Sequence, residues 1–207
     1  MNTSGNNSPH FDKRTGTYFL DYYIPKWRWG EFNEEQTSFS QNLLRYKNND
    51  DNKVWADYTV DLMNALAYIA EKKLYSASVI YMVSVPCSNP RKQSTMRKTI
   101  HRIAQLSDDG AVELFTGCRK RMVDASDLII RQSFVQAAHL STESRPGFEE
   151  HLASMRVTRS PVKVGAGYII MDDIVTRGTQ ISVCNQLLRN AGVAKMFIEH
   201  LVIGRTI

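Results

Sequence analysis

The sequence predicts an α/β protein with an open, mostly parallel sheet flanked by helices. Towards the end of the chain, a strand pattern at residues 167 to 173, an amphipathic helix at 179 to 190 and a strand at 194 to 204 follow one another. This succession is typical of a right-handed crossover between parallel strands. A continuous apolar run at residues 78 to 86 indicates a central strand buried on both faces. With 207 residues, 43% of them hydrophobic, the chain can bury one substantial core.

The first quarter of the chain divides into a leader and an arm. Residues 1 to 16 are polar and rich in Asn, Ser, Gly and Thr, which predicts a disordered leader. Residues 17 to 54 contain the aromatic run YFLDYYIPKWRWGEF, which favours a hairpin or an extended arm packed on a core. A stacking platform for nucleic-acid bases is the alternative interpretation of these aromatic side chains.

The remaining residues, 55 to 207, are expected to form the main domain. Apolar residues three and four positions apart predict a helix from residue 55 to 72. A second helix is expected at about 91 to 106, followed by a turn and a short strand, AVELFTG. Within residues 118 to 160, helical spacing around 128 to 138 gives way to Ser, Thr, Glu, Pro and Gly. We therefore expect a helix there and then an irregular hood over the edge of the sheet.

The composition argues against several classes of protein. No stretch approaches the roughly 20 apolar residues of a membrane span, and the N-terminus lacks the apolar core of a secretory signal, so we expect a cytoplasmic protein without a membrane partner. The cysteines Cys87, Cys118 and Cys184 show no Cys-x-x-Cys spacing, which argues against a disulfide framework and a zinc site. The net charge of +5 and the basic clusters at residues 91 to 102 and 119 to 121 suit a phosphate-bearing small ligand or nucleic acid. A solvated basic face is the alternative for either cluster.

The candidate site lies where the strand at residues 167 to 173 ends in two adjacent carboxylates, Asp172 and Asp173. Two ionised carboxylates repel each other unless a cation or hydroxyl donors face them. An acidic strand cap at a solvated loop is the alternative. In open parallel sheets, however, ligands bind outside the carboxyl ends of the strands. We therefore predict that Asp172 and Asp173 bind a divalent cation and hydroxyl groups of a ligand.

The turn after these aspartates opens a helix, and its backbone N–H groups and hydroxyls form a ready site for an anion. Carboxylates can accept hydrogen bonds from the hydroxyls of a sugar, and the N–H groups and hydroxyls of the turn can donate to a phosphate. Together they match the two halves of a ribose 5-phosphate. The predicted phosphate-binding residues are Thr176, Arg177, Gly178 and Thr179.

The stretch YIIMDDIVTRGTQ resembles the phosphoribosyl-diphosphate motif of type I phosphoribosyltransferases, in which an apolar strand leads to Asp-Asp, two residues and Thr-x-Gly. From about residue 40 onward, the chain is most similar to the late competence ComF group of these proteins. QAAHLSTESR at residues 136 to 145 loosely fits that group's Gln-x-x-Leu-Ser-x-x-x-Arg form, and LLRYKNNDDN resembles its early Lys-Tyr segment. The resemblance implies a type I phosphoribosyltransferase-like fold that binds phosphoribosyl diphosphate or a nucleotide with Mg²⁺.

The resemblance also implies that the loop after the first core strand binds diphosphate. A turn at a strand end that is restricted by a proline and followed by basic residues suits this task, although a simple strand-to-helix turn is the alternative. Arg131, Arg145 and the cluster at residues 119 to 121 are further candidates for contacts with the leaving group. The loop residues are Pro86, Cys87, Ser88, Asn89 and Arg91.

The implied reaction displaces diphosphate from C1 of the ribose by a nucleobase-type acceptor, or cleaves such a bond, with Asp172 and Asp173 as catalytic and metal-binding residues. The chain departs from the ComF pattern because it lacks that group's cysteine zinc module, and because Arg177 and Gln180 replace small hydroxyl residues. The second hypothesis is therefore a nucleotide sensor, or a nucleic-acid- or protein-binding module, in a competence or mobile-element defence system. The sequence leaves a homo-oligomer open.

Overall fold

The computed structural model describes residues 8 to 28, 31 to 33, 35 to 92, 94 to 135, 146 to 158, 163 and 165 to 207. The elements follow one another as β1 (His10–Asp12), β2 (Thr17–Tyr23), β3 (Trp27–Arg28), β4 (Glu31–Phe32), α1 (Ser38–Asn48), α2 (Asn52–Lys72), β5 (Val79–Ser84), α3 (Thr95–Asp108), α4 (Ala111–Thr116), β6 (Arg121–Asp124), β7 (Ile129–Arg131), α5 (Phe148–Ser154), β8 (Met155–Val157), β9 (Ala166–Val175), α6 (Thr179–Asn190), a 3-10 turn (Lys195–Phe197) and β10 (Ile198–Thr206).

Six of the strands form one sheet in the order β1-β2-β10-β9-β5-β6. The five strands from β2 to β6 in this order are parallel, and only β1 runs antiparallel to its neighbour. The predicted α/β fold with a mostly parallel sheet is therefore confirmed. From β5 the chain continues through α3 and α4 to β6 on one side, and from β9 it continues through α6 to β10 on the other side. The connections thus diverge between β5 and β9, which makes this the switch point of the sheet.

Helices cover both faces of the sheet. On one face α1, α2 and α3 contribute Leu43, Leu66 and Ile100 to a single buried cluster. On the other face, Leu188 of α6 and Met155 of the two-stranded β7-β8 ribbon belong to a second cluster. Each face of the central strands is therefore buried, which explains why β5 and β9 read as continuous apolar runs in the sequence. No helix in the described part of the chain has the length and hydropathy needed to cross a membrane.

The long predicted helices are confirmed. The helix expected at residues 55 to 72 is α2, which begins three residues earlier because the Asp51 carboxylate accepts hydrogen bonds from the N–H groups of Lys53 and Val54. The helix expected at 179 to 190 has the same bounds in the structure. The helix expected at about 91 to 106 is α3, which begins at Thr95 because Ser94 caps it by accepting from the N–H of Arg97.

Two short elements differ from the predictions. The prediction of a strand at AVELFTG is wrong, because residues 111 to 116 form the helix α4. Gly110 and Gly117 flank this helix, and their positive φ angles of 75° and 72° bound it at both ends. The helix expected around residues 128 to 138 is also wrong over its first part, because residues 129 to 131 form β7, which pairs antiparallel with β8. Residues 136 to 145 lie outside the described residues.

The N-terminal segment is part of the main sheet. Residues 10 to 16, which we expected in a disordered leader, instead form β1 and a turn, and residues 1 to 7 lie outside the described residues. Within the expected arm, β2 pairs parallel with β10. The side chains of Tyr18, Phe19 and Tyr23 are buried in the core, so these three aromatic residues are not free to stack on bases.

A glycine allows α1 to lie directly against β10. A Cβ built on Gly204 would lie 2.5 Å from Cδ2 of Leu43 and 3.0 Å from Cβ of Tyr23, and both distances are below ordinary van der Waals contact. The missing side chain therefore lets the C-terminal half of α1 approach the carboxyl ends of the parallel strands.

Candidate functional site

The candidate site consists of two segments that leave the sheet at its switch point: the loop at residues 85 to 91 after β5, and residues 172 to 179 at the end of β9. Ser84 pairs with Met171, and the Val85 N–H donates to the Met171 carbonyl at 2.9 Å. From residue 172 onward, β9 therefore extends past the end of β5. The structure thus brings both predicted ligand-binding segments to the carboxyl end of the sheet, where open parallel sheets bind their ligands.

Asp172 and Asp173, the acid pair, lie at an irregularity of β9. Side chains of a regular strand alternate between the two faces. Here Ile170 and Val175 both belong to the cluster under α6, whereas Met171 and Ile174 both pack with the cluster under α1 to α3. Regular alternation would place 171 and 174 on opposite faces. The alternation of side chains therefore breaks at the acid pair, although β9 keeps its register with β10 on both sides of it.

Backbone amides at this irregularity donate to the acid pair itself. The Asp173 N–H donates to Oδ1 of Asp172 at 2.9 Å, and the Ile174 N–H donates to Oδ1 of Asp173 at 2.8 Å. Each carboxylate keeps its second oxygen for other partners. Burial and then the neighbouring charge of Asp173 raise the pKa of Asp172 well above its ordinary value, against the opposing charge of Lys47. An added cation would therefore stabilise the ionised acid pair.

Lys47, at the C-terminal end of α1, supplies a positive charge at the candidate site. Its Nζ lies 3.0 Å from Oδ2 of Asp173, and the lysine side chain is 50% exposed against 21% for the aspartate. Burial acts to lower the pKa of Lys47, but the charge and hydrogen bond of Asp173 outweigh it and raise the pKa. We did not predict Lys47 as a site residue, and the signal that could have found it was its place in the Lys-Tyr segment.

The backbone around Lys47 is held by α3. The Thr95 hydroxyl donates to the Lys47 carbonyl at 3.2 Å. The Thr99 hydroxyl donates to the Thr95 carbonyl, so its oxygen accepts from the buried Tyr46 hydroxyl at 2.8 Å and from Trp55 Nε1 at 2.9 Å. These contacts fix the end of α1 above the acid pair.

The turn at residues 176 to 178 leads directly into α6. Gly178 has a φ of +76° and precedes the helix without a side-chain cap, so the first N–H groups of α6 receive no capping side chain from it. The turn between β1 and β2 packs against this segment, since Arg14 Nη2 donates to the Thr176 carbonyl at 3.3 Å and a Cβ on Gly178 would lie 3.3 Å from Cγ2 of Thr15. The Arg177 side chain is exposed. A helix start of this kind suits an anion.

The loop after β5 lies close to the acid pair. Burial and the charges of Asp172 and Asp173 raise the pKa of the Cys87 thiol, while the charges of Lys47 and Arg97 oppose that increase. A thiol with a raised pKa is a poor nucleophile, which argues against covalent catalysis by Cys87.

Further along, this loop forms a tight turn. The Asn89 side-chain oxygen accepts from the Arg91 N–H at 2.9 Å, and the Asn89 carbonyl accepts from the Lys92 N–H at 3.1 Å. The loop is also tied to the segment after β7, because the Val135 N–H donates to the Ser88 carbonyl at 3.2 Å. Pro86 is partly buried and Arg91 is exposed, so the basic side chain is free to meet a ligand.

Arg131, at the end of β7, joins the two segments of the candidate site. Its guanidinium is buried and donates to the Cys87 carbonyl at 2.7 Å and to Oε1 of Gln180, in the first turn of α6, at 2.8 Å. It also donates to Oγ of Ser154 at 2.5 Å and contacts Nδ1 of His151 at 3.4 Å. We expected Arg131 to contact a leaving group, but these bonds make it a positioning residue below the site.

The charge of Arg131 has no carboxylate partner among the ion pairs of the described residues. Burial lowers the pKa of Arg131, which shows that its surroundings disfavour the cation. Buried charges in proteins are normally paired, because an isolated one costs several kcal/mol. An anion bound between the loop and the start of α6 would supply the missing negative charge.

The basic cluster at residues 119 to 121 lies at the other end of the sheet, where β6 begins, so the expectation of leaving-group contacts is wrong for it. Nε of Arg119 lies 3.2 Å from Glu113, and Nε of Arg121 lies 2.9 Å from Asp108. Lys120 donates to two main-chain carbonyls that follow α2, at 2.7 and 2.9 Å. Arg145, the remaining candidate, lies outside the described residues.

The acid pair offers two carboxylates to a metal ion. In the ranges that the structure describes, no group of three or more His, Cys, Asp or Glu side chains could hold one. Mg²⁺ commonly takes only one or two protein carboxylates and completes its shell with substrate phosphates and water. The donor set of the acid pair therefore fits Mg²⁺ shared with a phosphate-bearing ligand, and not a metal site made of protein ligands alone.

Comparison of the sequence with protein-family models gives no match, and no curated protein matches it significantly. A function for this chain must therefore come from the chemistry of the candidate site.

Proposed function

We propose that this protein binds phosphoribosyl diphosphate, or a nucleotide, together with Mg²⁺, and transfers the phosphoribosyl group to a nucleobase-type acceptor or removes it from one. The observation that carries the proposal is the junction at the end of β9, where the acid pair is followed within a few residues by an uncapped helix start. Carboxylates that accept from the ribose hydroxyls, followed at this spacing by N–H groups that donate to a phosphate, suit a ribose 5-phosphate.

Each segment has a role in the proposed complex. Asp172 and Asp173 accept hydrogen bonds from the ribose hydroxyls and would hold Mg²⁺, which supplies charge neutralisation at the diphosphate oxygens. The N–H groups and hydroxyls at residues 176 to 179 bind the 5-phosphate. The loop at residues 86 to 91 faces the diphosphate on C1, with the exposed Arg91 side chain at its end.

The reaction breaks the bond between C1 and the diphosphate oxygen, whose electrons leave with the diphosphate. The lone pair of the acceptor nitrogen forms the new bond to C1, and the acceptor loses its proton to solvent. Positive charge develops on the ribose ring while the bond breaks. The acid pair stabilises that charge, and the fixed geometry of the loop and the helix start holds ribose and leaving group in line.

Arg131 supports an anionic ligand from below. Its charge, which has no carboxylate partner among the described residues, lies between the main-chain carbonyl of Cys87 and the first turn of α6, beneath the places assigned to diphosphate and 5-phosphate. A ligand with a phosphate group at each end would place negative charge near Arg131 at both of these places.

Calorimetric titration of phosphoribosyl diphosphate, with and without Mg²⁺, tests the proposal. We expect Mg²⁺-dependent binding to the wild type and none to the Asp172→Asn/Asp173→Asn variant. The chain offers a matched control in the Asp108→Asn/Asp109→Asn variant, which neutralises the Asp-Asp pair at the far end of the sheet and should bind as the wild type does. Equal binding by both double variants, or no binding by the wild type, would refute the proposal.

A nucleotide sensor without turnover is the second candidate. The observation in its favour is that Gln180, where a small hydroxyl residue is usual in the motif, gives its side-chain oxygen to Arg131 and not to the turn. Release of diphosphate in the presence of candidate nucleobases separates the two functions. Tight binding with no release over hours would favour the sensor, and steady release dependent on Mg²⁺ would favour the transferase.

A further inference from the structure

We propose that Lys47 is a ligand-binding residue that also acts as the internal counter-ion of the site. Without ligand its ammonium neutralises Asp173; when Mg²⁺ reaches the acid pair, the ammonium leaves Asp173 and contacts the diphosphate oxygens. This inference rests on the proposed function and assigns to it a residue from outside the sequence motif.

The contact between Lys47 and Asp173 places the ammonium where a metal ion would bind. Nζ of Lys47 is 3.0 Å from Oδ2 of Asp173, while Oδ1 of the same carboxylate already accepts from the Ile174 N–H. Oδ2 is thus the oxygen of Asp173 that remains for a cation. Lys47 and Mg²⁺ cannot share this short distance, because two like charges repel strongly there.

Only the side chain of Lys47 needs to move. Its carbonyl is held by the Thr95 hydroxyl, and the preceding Tyr46 side chain is buried against Thr99. The lysine side chain itself is half exposed and has four flexible carbons. The anchored backbone and the mobile ammonium together allow a change of partner without a change of fold.

The loop that we assign to the diphosphate lies near Lys47. The Cys87 thiol in this loop is influenced by the charges of Lys47, Asp172 and Asp173 together. Lys47 and the acid pair therefore both lie close to the loop after β5. A diphosphate bound at that loop would present oxygens to the ammonium at short range.

Two titrations of the full chain test this exchange in the wild type, in Lys47→Met and in Lys47→Arg. Arg45→Met is the matched control, because Arg45 lies in the same last turn of α1 and is exposed. Titration with Mn²⁺ alone should give Lys47→Met about three- to five-fold tighter binding, since a competing ion pair is gone. Titration with phosphoribosyl diphosphate and Mg²⁺ should give it at least about ten-fold weaker binding, since a charged contact is lost. Lys47→Arg should keep both wild-type affinities within about two-fold.

The two arms separate this inference from the proposed function. Unchanged or weaker Mn²⁺ binding by Lys47→Met, or the same changes in Arg45→Met, would overturn the exchange. A wild type that binds the diphosphate ligand, together with a Lys47→Met variant that binds it equally well, would overturn the lysine's role and leave the function intact. A wild type without affinity for that ligand would refute the function, while the Mn²⁺ arm would still decide whether Lys47 competes with a cation. Thermal unfolding of each variant confirms that it is folded.

Discussion

One Asp-Asp pair at each end of the sheet forms a single ion pair, but the two pairs differ in burial and in local structure. Asp172 and Asp173 lie at the carboxyl end, where the alternation of side chains in β9 breaks, and burial raises the pKa of Asp172. Asp108 and Asp109 end α3 at the amino end, where Asp108 is exposed and paired with Arg121 at 2.9 Å. Each dipeptide thus has one basic partner, but at the carboxyl end a single lysine faces two partly buried carboxylates.

The basic residues of the two ends differ in the same way. Arg119 and Arg121 at the amino end are exposed and paired with acidic side chains. Arg131 at the carboxyl end is buried, and its bonds to Cys87 and Gln180 are to neutral acceptors. Charges that lack their natural partner inside a protein indicate a binding site more strongly than numerous charges on its surface do. The clusters that stand out in the sequence are therefore less informative than a single buried arginine.

Replacing the arginine at each end should give the largest contrast. Arg131→Met leaves the Cys87 carbonyl and the Gln180 side chain without their donor, so we expect the free energy of unfolding to fall by about 3 kcal/mol. Arg121→Met removes an exposed ion pair and should cost less than about 1 kcal/mol. Urea denaturation of both variants measures the difference. Equal losses would mean that Arg131 contributes no more to the free energy of unfolding than a surface arginine does.

Neutralising one aspartate at each end should change stability in opposite directions. The raised pKa of Asp172 means that its protonated form favours folding below the ordinary pKa of 3.8, and that this stability is lost as the pH rises through the raised value. Asp172→Asn should therefore stabilise the metal-free protein by about 2 kcal/mol at neutral pH, and by progressively less toward pH 4. Asp108→Asn should lower stability by about 0.5 kcal/mol. Denaturation curves at several pH values, recorded without Mg²⁺, give both quantities.

A loss of stability in Asp172→Asn at neutral pH would contradict the assignment of Asp172 as a carboxylate that lacks sufficient positive charge around it. The profile of the wild type should also flatten when Mg²⁺ and ligand are added.

Giving Arg131 a carboxylate partner should make the carboxyl end resemble the amino end. Gln180→Glu places that carboxylate on the present acceptor of Arg131, so we expect about 1 kcal/mol of added stability and weaker binding of phosphoribosyl diphosphate. Gln105→Glu on the exposed side of α3 is the control and should change neither. Stability comes from denaturation and affinity from calorimetry. Ligand binding unaffected by Gln180→Glu would show that the charge of Arg131 is not used by the ligand.

The smallest effect is expected for Arg119→Ala. Its ion pair with Glu113 is exposed, so stability should change by less than about 0.5 kcal/mol and ligand affinity should stay within error. A clear loss of affinity, measured by the same calorimetry, would show that the amino end takes part in binding and would remove the contrast between the two ends.

Much of the fold could be predicted because its main elements are long enough to show a period. The helices α2 and α6 and the strand β9 have 21, 12 and 10 residues, and their apolar patterns are unambiguous. α4 and β7 have only six and three residues, and such short segments cannot distinguish a helix from a strand by periodicity. Their form depends on neighbours that are distant in the sequence.

The candidate site could be predicted where it is local. The acid pair and the turn at residues 176 to 179 belong to one continuous stretch, so strand, turn and helix start are all visible in the sequence. Lys47 and Arg131 come from other elements, and only the packing of α1 and of β7 brings them to this stretch. Residues whose role is to neutralise or position others leave little trace in a single sequence, because any basic residue in a helix or strand looks the same.

The pairing of β2 with β10 has a consequence for how the chain folds. Residues 17 to 23 pair in parallel with residues 198 to 206, and among the strand pairings of the described residues this one joins the segments farthest apart in sequence. Since chains grow from the N-terminus, β2 is synthesised long before β10, and its aromatic side chains stay unpaired until β10 has been made. Such non-local pairing is slow, and it exposes Tyr18, Phe19 and Tyr23 to wrong partners in the meantime. The segment that completes the native sheet is thus the one most in need of protection from aggregation before translation ends.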